Sequence, residues 1–205
     1  MNYLEFKSQM FDTGCFSVNQ VYAWQPNFDR NNFLHWMKRG LLIRLRQGYY
    51  TFPEYLSKSD FSFYFANRMY KPSYVSLHTA LAFYGLIPEA VIQITSVTSL
   101  KTTNFTNPFG TFSYKSVREE LMFGYDLKPI ADGRAVQLAK PEKALLDLLY
   151  LYTFYNSVDD MEELRLDDAF MQDEFNWELM QDFAIQFKSK VLEKRVKQLI
   201  NIYKS

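Results

Sequence analysis

The stretch NFDRNNFLHWMKRGLLIRLRQGYYTF, Asn27 to Phe52, decides how this chain is read. Pro26 precedes it, and Asn27 or Asp29 can accept from the free N–H groups of a helix start. Arg30, Phe33, Leu34, Met37 and Leu41 then recur at spacings of three and four, which predicts a helix with one mostly apolar stripe. Asn31, Asn32, His35 and Lys38 fall on the other side. Gly40 supplies the stop, with Lys38 and Arg39 near the helix's negative end. Beyond it Leu41, Ile43 and Leu45 alternate with Leu42, Arg44 and Arg46, a period of two. Gln47-Gly48 makes a turn, and Tyr49 to Phe52 supplies a return strand. Helix, glycine and basic ribbon in that order predict a winged helix-turn-helix. The amide and basic groups on the helix suit base edges in a major groove, and those on the ribbon suit phosphates or a minor groove. The plainer alternative is a helix and hairpin whose charges are simply solvated.

The residues before this stretch complete the unit. Tyr3, Phe6, Met10 and Phe11 give a first helix over 2–12, which Thr13-Gly14 ends. Ser17 caps a short second helix containing Val18, Val21, Tyr22 and Trp24. The predicted order is therefore three helices and two strands, and the expected first domain is 1–54. Residues 1–52 hold six Lys or Arg against three acids, although the whole chain is neutral. That excess of three predicts weak non-specific binding by one copy, and so favours two copies on one operator.

Residues 55–205 are expected to form a C-terminal α+β domain with a small sheet and a helical tail. Ser57 or Ser59 starts a helix with Phe61, Phe65 and Met69 four apart, and Lys71-Pro72 ends it. Ser76 is placed as the cap of the next helix, with Leu77, Ala80, Leu81 and Tyr84 on its core face and Gly85 as its stop. Ala90 to Thr98 is β-branched and reads as a buried strand. Leu100 to Gly110 is polar and reads as a long loop. Thr111 to Ser116 and Arg134 to Ala139 complete three strands, the last after an Asp132-Gly133 turn. Pro141 opens a helix that is apolar nearly all round, with Lys143 and Asp147 able to pair on its far side. In the tail, Asp159 to Glu178 contains nine acids and one Arg, while Lys188 to Lys204 contains six basic residues and one acid. Charge complementarity predicts an antiparallel helical hairpin between them.

Composition narrows the function classes. With 205 residues, 48% apolar and 18% aromatic, the chain has ample core. One cysteine, Cys15, excludes an internal disulfide and any site built on several thiolates, and its expected role is a buried small hydrophobe. No signal peptide and no run of about 20 apolar residues are present, so a cytoplasmic location without membrane contact is expected. No phosphate-binding glycine loop, zinc-protease helix or serine-hydrolase elbow occurs. Neither a catalytic residue, a metal site nor a cofactor is expected. Glu119, Glu120, Asp132 and Glu142 suit a metal-dependent nuclease by type alone, and a Lys143–Asp147 couple suits catalysis less well than a structural ion pair.

Three stretches are similar to a known family. They are RGLLIRLRQGYYTF (Arg39–Phe52), PSYVSLHTALAFYGLIPE (Pro72–Glu89) and GRAVQLAKPEKALLDLLYL (Gly133–Leu151). The chain resembles the AbiEi-type antitoxins of abortive-infection toxin–antitoxin systems, also described as regulators of viral defence. The resemblance implies a winged helix that represses its own promoter at inverted repeats of double-stranded DNA. It also implies a C-terminal domain that counteracts an AbiEii-like nucleotidyltransferase toxin without forming a stable complex. It transfers no catalytic residue. Helix phase and charge, not the resemblance, assign Asn31, Asn32 and His35 to base edges, with Arg30 at the margin of the apolar stripe. Lys38, Arg39, Arg44, Arg46 and Gln47 face phosphate or the minor groove, and Arg46→Ala is expected to weaken binding to every sequence. The rival readings are a winged-helix protein-interaction module and a stand-alone regulator without a toxin.

Overall fold

A computed structural model describes residues 2–58, 61–130 and 132–204. The chain begins with α1 (Tyr3–Met10), a short 3-10 turn (Phe11–Thr13), β1 (Phe16–Ser17), α2 (Val18–Trp24), α3 (Asn31–Lys38), β2 (Ile43–Arg46) and β3 (Tyr49–Thr51). Asn2 caps α1 through its side chain, and Ser17 with Gln20 forms a reciprocal capping box on α2. Asp29 Oδ1 accepts from Asn31 N at 2.9 Å at the start of α3. Gly40 takes φ +68° after it, so that Gly40 N bonds Met37 O and Leu41 N bonds Trp36 O. That crossed pair satisfies two carbonyls of the last turn and fixes where the ribbon leaves the helix.

Aromatic packing sets the orientation of α3. Phe6 is fully buried, with the rings of Phe16, Phe28 and Trp36 at 4.6–5.6 Å. Phe33 stacks on Tyr50 of β3 at 4.6 Å, nearly parallel. The buried stripe of α3 is thus Phe33 and Trp36, with Met37 half-buried. The sequence stripe placed Leu34 in the core and omitted Trp36. Leu34 is instead 57% exposed, because the helix turns its Phe33–Trp36 line toward Phe6 and Tyr50. A bulge between Arg44 and Arg46 likewise breaks the expected alternation in β2 and buries Leu42 and Leu45. The sheet has a third strand that the sequence reading lacked, in the order β1-β3-β2.

A second 3-10 turn (Pro53–Ser57) leads to α4 (Phe61–Met69), whose Phe61, Phe65 and Met69 are buried as expected. Ser59, one of the two starts expected for it, lies outside the described residues. Then follow β4 (Ser73–Val75), α5 (Leu77–Phe83), β5 (Gln93–Thr98), β6 (Thr103–Asn107), β7 (Gly110–Ser116), β8 (Tyr125–Pro129), β9 (Ala135–Ala139) and α6 (Pro141–Leu151). The six strands make one mixed sheet in the order β6-β7-β5-β4-β9-β8. The small three-stranded sheet expected is therefore an underestimate. Leu100–Gly110 is not a long loop: Thr103–Asn107 pairs antiparallel with β7 as the sheet's edge, placing Phe105 opposite Phe112. The expected strand Ala90–Thr98 starts only at Gln93, and Ile92 is exposed.

The sheet is covered on both faces. Tyr114 donates to Ala66 O on α4 at 2.7 Å, whereas Tyr74 donates to Asp147 on α6 at 2.8 Å. Of the tail helices α7 (Val158–Glu162), α8 (Asp168–Asp173), α9 (Trp177–Gln186) and α10 (Lys190–Lys204), α9 and α10 pack on α6, and α7 and α8 pack on α10. The acidic segment is broken into short helices rather than one arm of a hairpin, and among the described residues no ion pair joins it to the basic helix. Apolar groups hold them together: Leu192, Val196 and Leu199 of α10 are buried, as are Met161, Met171 and Met180. Arg195 is buried too, donating to Leu149 O and Thr153 O at the end of α6.

Residues 2–57 are fastened to the rest by polar contacts around a close approach. Tyr64 of α4 donates to Thr13 O at 3.0 Å, and Arg134 donates to Asp12 O. Gly14, at φ +70°, lies between them, where an added Cβ would meet Tyr64 at 3.1 Å and Arg134 at 3.3 Å.

Candidate nucleic-acid interface

With Phe33 and Trp36 turned inward, α3 presents Asn31, Leu34, His35 and Lys38 to solvent as one stripe. Three of these are among the residues the sequence assigned to base edges or phosphate. Asn32 is half-buried at the side of that stripe, so its expected place on the outer face is only partly met. Arg30, Arg39 and Arg44 are exposed, and among the described residues neither they nor Lys38 form a salt bridge.

A cleft of about 900 Å³ runs beside the stripe. Its walls are the start of α3 (Arg30, Asn31, Leu34), the ribbon and its turn (Arg44, Arg46, Gln47) and the edge strand β6 with the residues after it. Three arginines and no acid line it. Unopposed cations in a concave site concentrate positive potential, which draws a polyanion. The cleft brings Arg30, Asn31, Arg44, Arg46 and Gln47 together, and it leaves Asn32, His35, Lys38 and Arg39 outside.

Arg46 departs from its expected role. Its Nε donates to Met69 O, and its guanidinium lies over the Tyr49, Phe105 and Tyr70 rings at 4.3, 5.5 and 5.8 Å. Half-buried beside the bulge, the side chain staples the ribbon to α4 and β6 while it still borders the cleft. Asn107 assists, donating to Leu45 O at 3.1 Å while its Oδ1 accepts from Phe109 N at 2.8 Å. The ribbon is thus seated against the sheet edge, with Arg44 and Gln47 left exposed.

The wall formed by β6 was missed because its segment reads as loop. The signal was the Thr103-Asn104-Phe105-Thr106-Asn107 alternation before Pro108-Phe109-Gly110, whose phase matches Phe112 and Tyr114 across the turn.

The acids considered for nuclease chemistry do not converge. Asp132 pairs with Arg134 before β9, whereas Glu142 lies beyond the strand's other end and accepts from Asn176 N at 2.9 Å. Among the described residues no three His, Cys, Asp or Glu side chains are grouped as metal ligands. The Lys143–Asp147 pair is wholly buried within the α6 packing rather than on an outer face. Asp147 also accepts from Tyr74 and Ser76, both at 2.8 Å, and Lys143 donates to Tyr74 Oη at 2.7 Å. The hydroxyl of Ser76 is therefore used here and makes no cap bond to α5. Burial pushes the Lys143 ammonium down and the Asp147 carboxyl up, and their pairing opposes both shifts. Two of the three stretches that carry the resemblance thus meet in one network, whose Tyr74, Ser76, Lys143 and Asp147 are all buried.

No helix among the described residues is long and apolar enough to cross a membrane. No family model matches the chain, and no curated protein matches it.

Proposed function

We propose that residues 2–57 act as a winged helix-turn-helix and that the protein is a sequence-specific DNA-binding regulator of its own promoter. On this reading α3 enters the major groove through Asn31, His35 and Lys38, while Arg30 and Arg44 hold the phosphates on either side of the cleft. The observation that carries it is the cleft beside the exposed stripe of α3, lined by three arginines and no acid. The capping and aromatic packing described above support it by holding that stripe in a fixed orientation. The antitoxin role, opposing an AbiEii-like nucleotidyltransferase without a stable complex and without catalysis of its own, rests on the sequence resemblance. Arg46 takes no part in DNA contact here and serves as a positioning residue for the ribbon.

The test is a salt titration of binding to the duplex upstream of its own gene, with a scrambled duplex as control. The native duplex should bind more tightly, and log affinity should fall linearly with log salt. Arg44→Ala should weaken both duplexes and reduce the slope by about 0.9. Asn31→Ala should instead narrow the gap between the two duplexes. Equal, weak and salt-insensitive binding of both would refute the reading and favour a protein partner.

A further inference from the structure

The β6 edge faces the same cleft as α3, although it belongs to the other part of the chain. Asn104 and Thr106 are exposed, two residues apart, and line the same cleft as Arg30 and Asn31; the Thr106 hydroxyl also lies 3.4 Å from that of Thr111, a long contact in which either can donate. β6 ladders only with β7, so its outer edge has no strand partner in the sheet. From Leu100 to Phe112 the sequence contains no acid. Neutral amide and hydroxyl donors beside free arginines form a surface that accepts a phosphodiester backbone and repels nothing in it.

What makes this wall usable is its rigid placement. Asn107 and Arg46 tie the ribbon to β6 and α4 by hydrogen bonds, and the guanidinium is packed against Phe105. The distance between the exposed stripe of α3 and the edge strand is therefore set within the folded chain and needs no ordering when a duplex arrives.

We propose that Asn104 and Thr106 donate hydrogen bonds to the phosphate backbone of the duplex whose major groove α3 occupies, so that the DNA interface continues from the N-terminal helices onto the edge of the C-terminal sheet. This rests on the DNA-binding reading above. Neutral donors displace no counterion, so their contribution differs from that of arginine in salt dependence. They carry no base specificity.

The experiment uses the full chain, a labelled duplex with the sequence upstream of its gene, and a scrambled duplex, each titrated over a series of salt concentrations. The Asn104→Ala/Thr106→Ala double variant should lose about tenfold in affinity for both duplexes with an unchanged salt slope. Asn104→Lys should gain affinity for both and steepen the slope by about 0.9, a result that a damaged fold cannot produce. If both variants match the wild type while Arg44→Ala still weakens binding, the sheet edge lies outside the interface and this inference falls alone. If the wild type binds neither duplex in a salt-dependent way, the DNA reading fails and takes the inference with it.

Discussion

Removing the Asp147 carboxylate should be among the most damaging single changes in this protein. Asp147 and Lys143 are both 0% exposed, and the carboxylate accepts from the Lys143 ammonium, Tyr74 and Ser76. Asp147→Ala leaves the ammonium with the Tyr74 hydroxyl and the ring faces of Phe123, Phe187 and Tyr74 at 4.9–5.2 Å. Breaking one partner of a buried pair costs about 3–5 kcal/mol. Each hydroxyl left without its acceptor adds about 1 kcal/mol, and the ring faces return a similar total of roughly 1–2 kcal/mol. The net loss is therefore about 4 kcal/mol, or a fall of roughly 10 °C in the melting temperature for a chain of this length.

Lys143→Met reads the same site from the other side. Burial already raises the Asp147 carboxyl above the ordinary 3.8 against the pull of Lys143, and losing that ammonium raises it further, so the folded variant holds a proton that the unfolded state releases. Stability of that variant should be greatest below the unfolded value and fall as pH rises through the folded one. The Lys143→Met/Asp147→Leu double variant removes both charges and should recover to within about 2 kcal/mol of the wild type. Thermal melts and urea titrations at several pH values measure all three, with Asp147→Leu as the further single variant that closes the double-mutant cycle. If Asp147→Ala melts within a degree or two of the wild type, or if the double variant loses the sum of the singles, the pair is not the buried and coupled unit described.

Three further outcomes follow from individual contacts. Burial pushes the Cys15 thiol up to about 12, so it should resist a disulfide reagent at pH 8 in the folded protein and react at once in urea. His78 is held below its ordinary 6.5 by desolvation, with Tyr155 Oη 3.5 Å away. Its contribution to stability should be present above pH 6.5 and be lost as pH falls through that value toward the lower folded one, and His78→Gln should flatten that limb of a pH–stability curve. Asn107→Ala removes the bond to Leu45 O and the turn contact to Phe109 N; hydrogen exchange should speed up in 43–51, with a stability loss of about 1–2 kcal/mol.

Much of this was legible without coordinates because the information is local. Gly40 marks a helix stop in the sequence because a residue tolerant of positive φ closes α3 in that way, and Ser17 marks a cap because its hydroxyl needs only residues three positions on. The Asp132-Gly133 turn and the Pro141 helix start are signals of the same range. Leu100–Gly110 failed because an edge strand buries only alternate residues, and its partner strand, not its own composition, makes it a strand. The acidic and basic tail segments failed because charge sets only a weak preference at a surface, while the buried methionines and leucines decide how the helices stack.

At the proposed interface the division is sharper. The sequence by itself determined that a helix ends at Gly40, that a basic ribbon follows, and which residues of the helix are polar, since spacing and residue type are properties of the chain. Tertiary structure alone decided which helical face is free: Phe33 and Trp36 fit Phe6 and Tyr50, and that rotation puts Leu34 outside beside Asn31 and His35. It also turned Arg46 inward onto Met69 O and three rings, and brought Asn104 and Thr106, more than 70 positions beyond Asn31, to the same cleft. A side chain's direction depends on what packs behind it, and at this site the groups behind and beside α3 come from α1, from the ribbon strands β2 and β3 and from the edge strand β6, far apart along the chain.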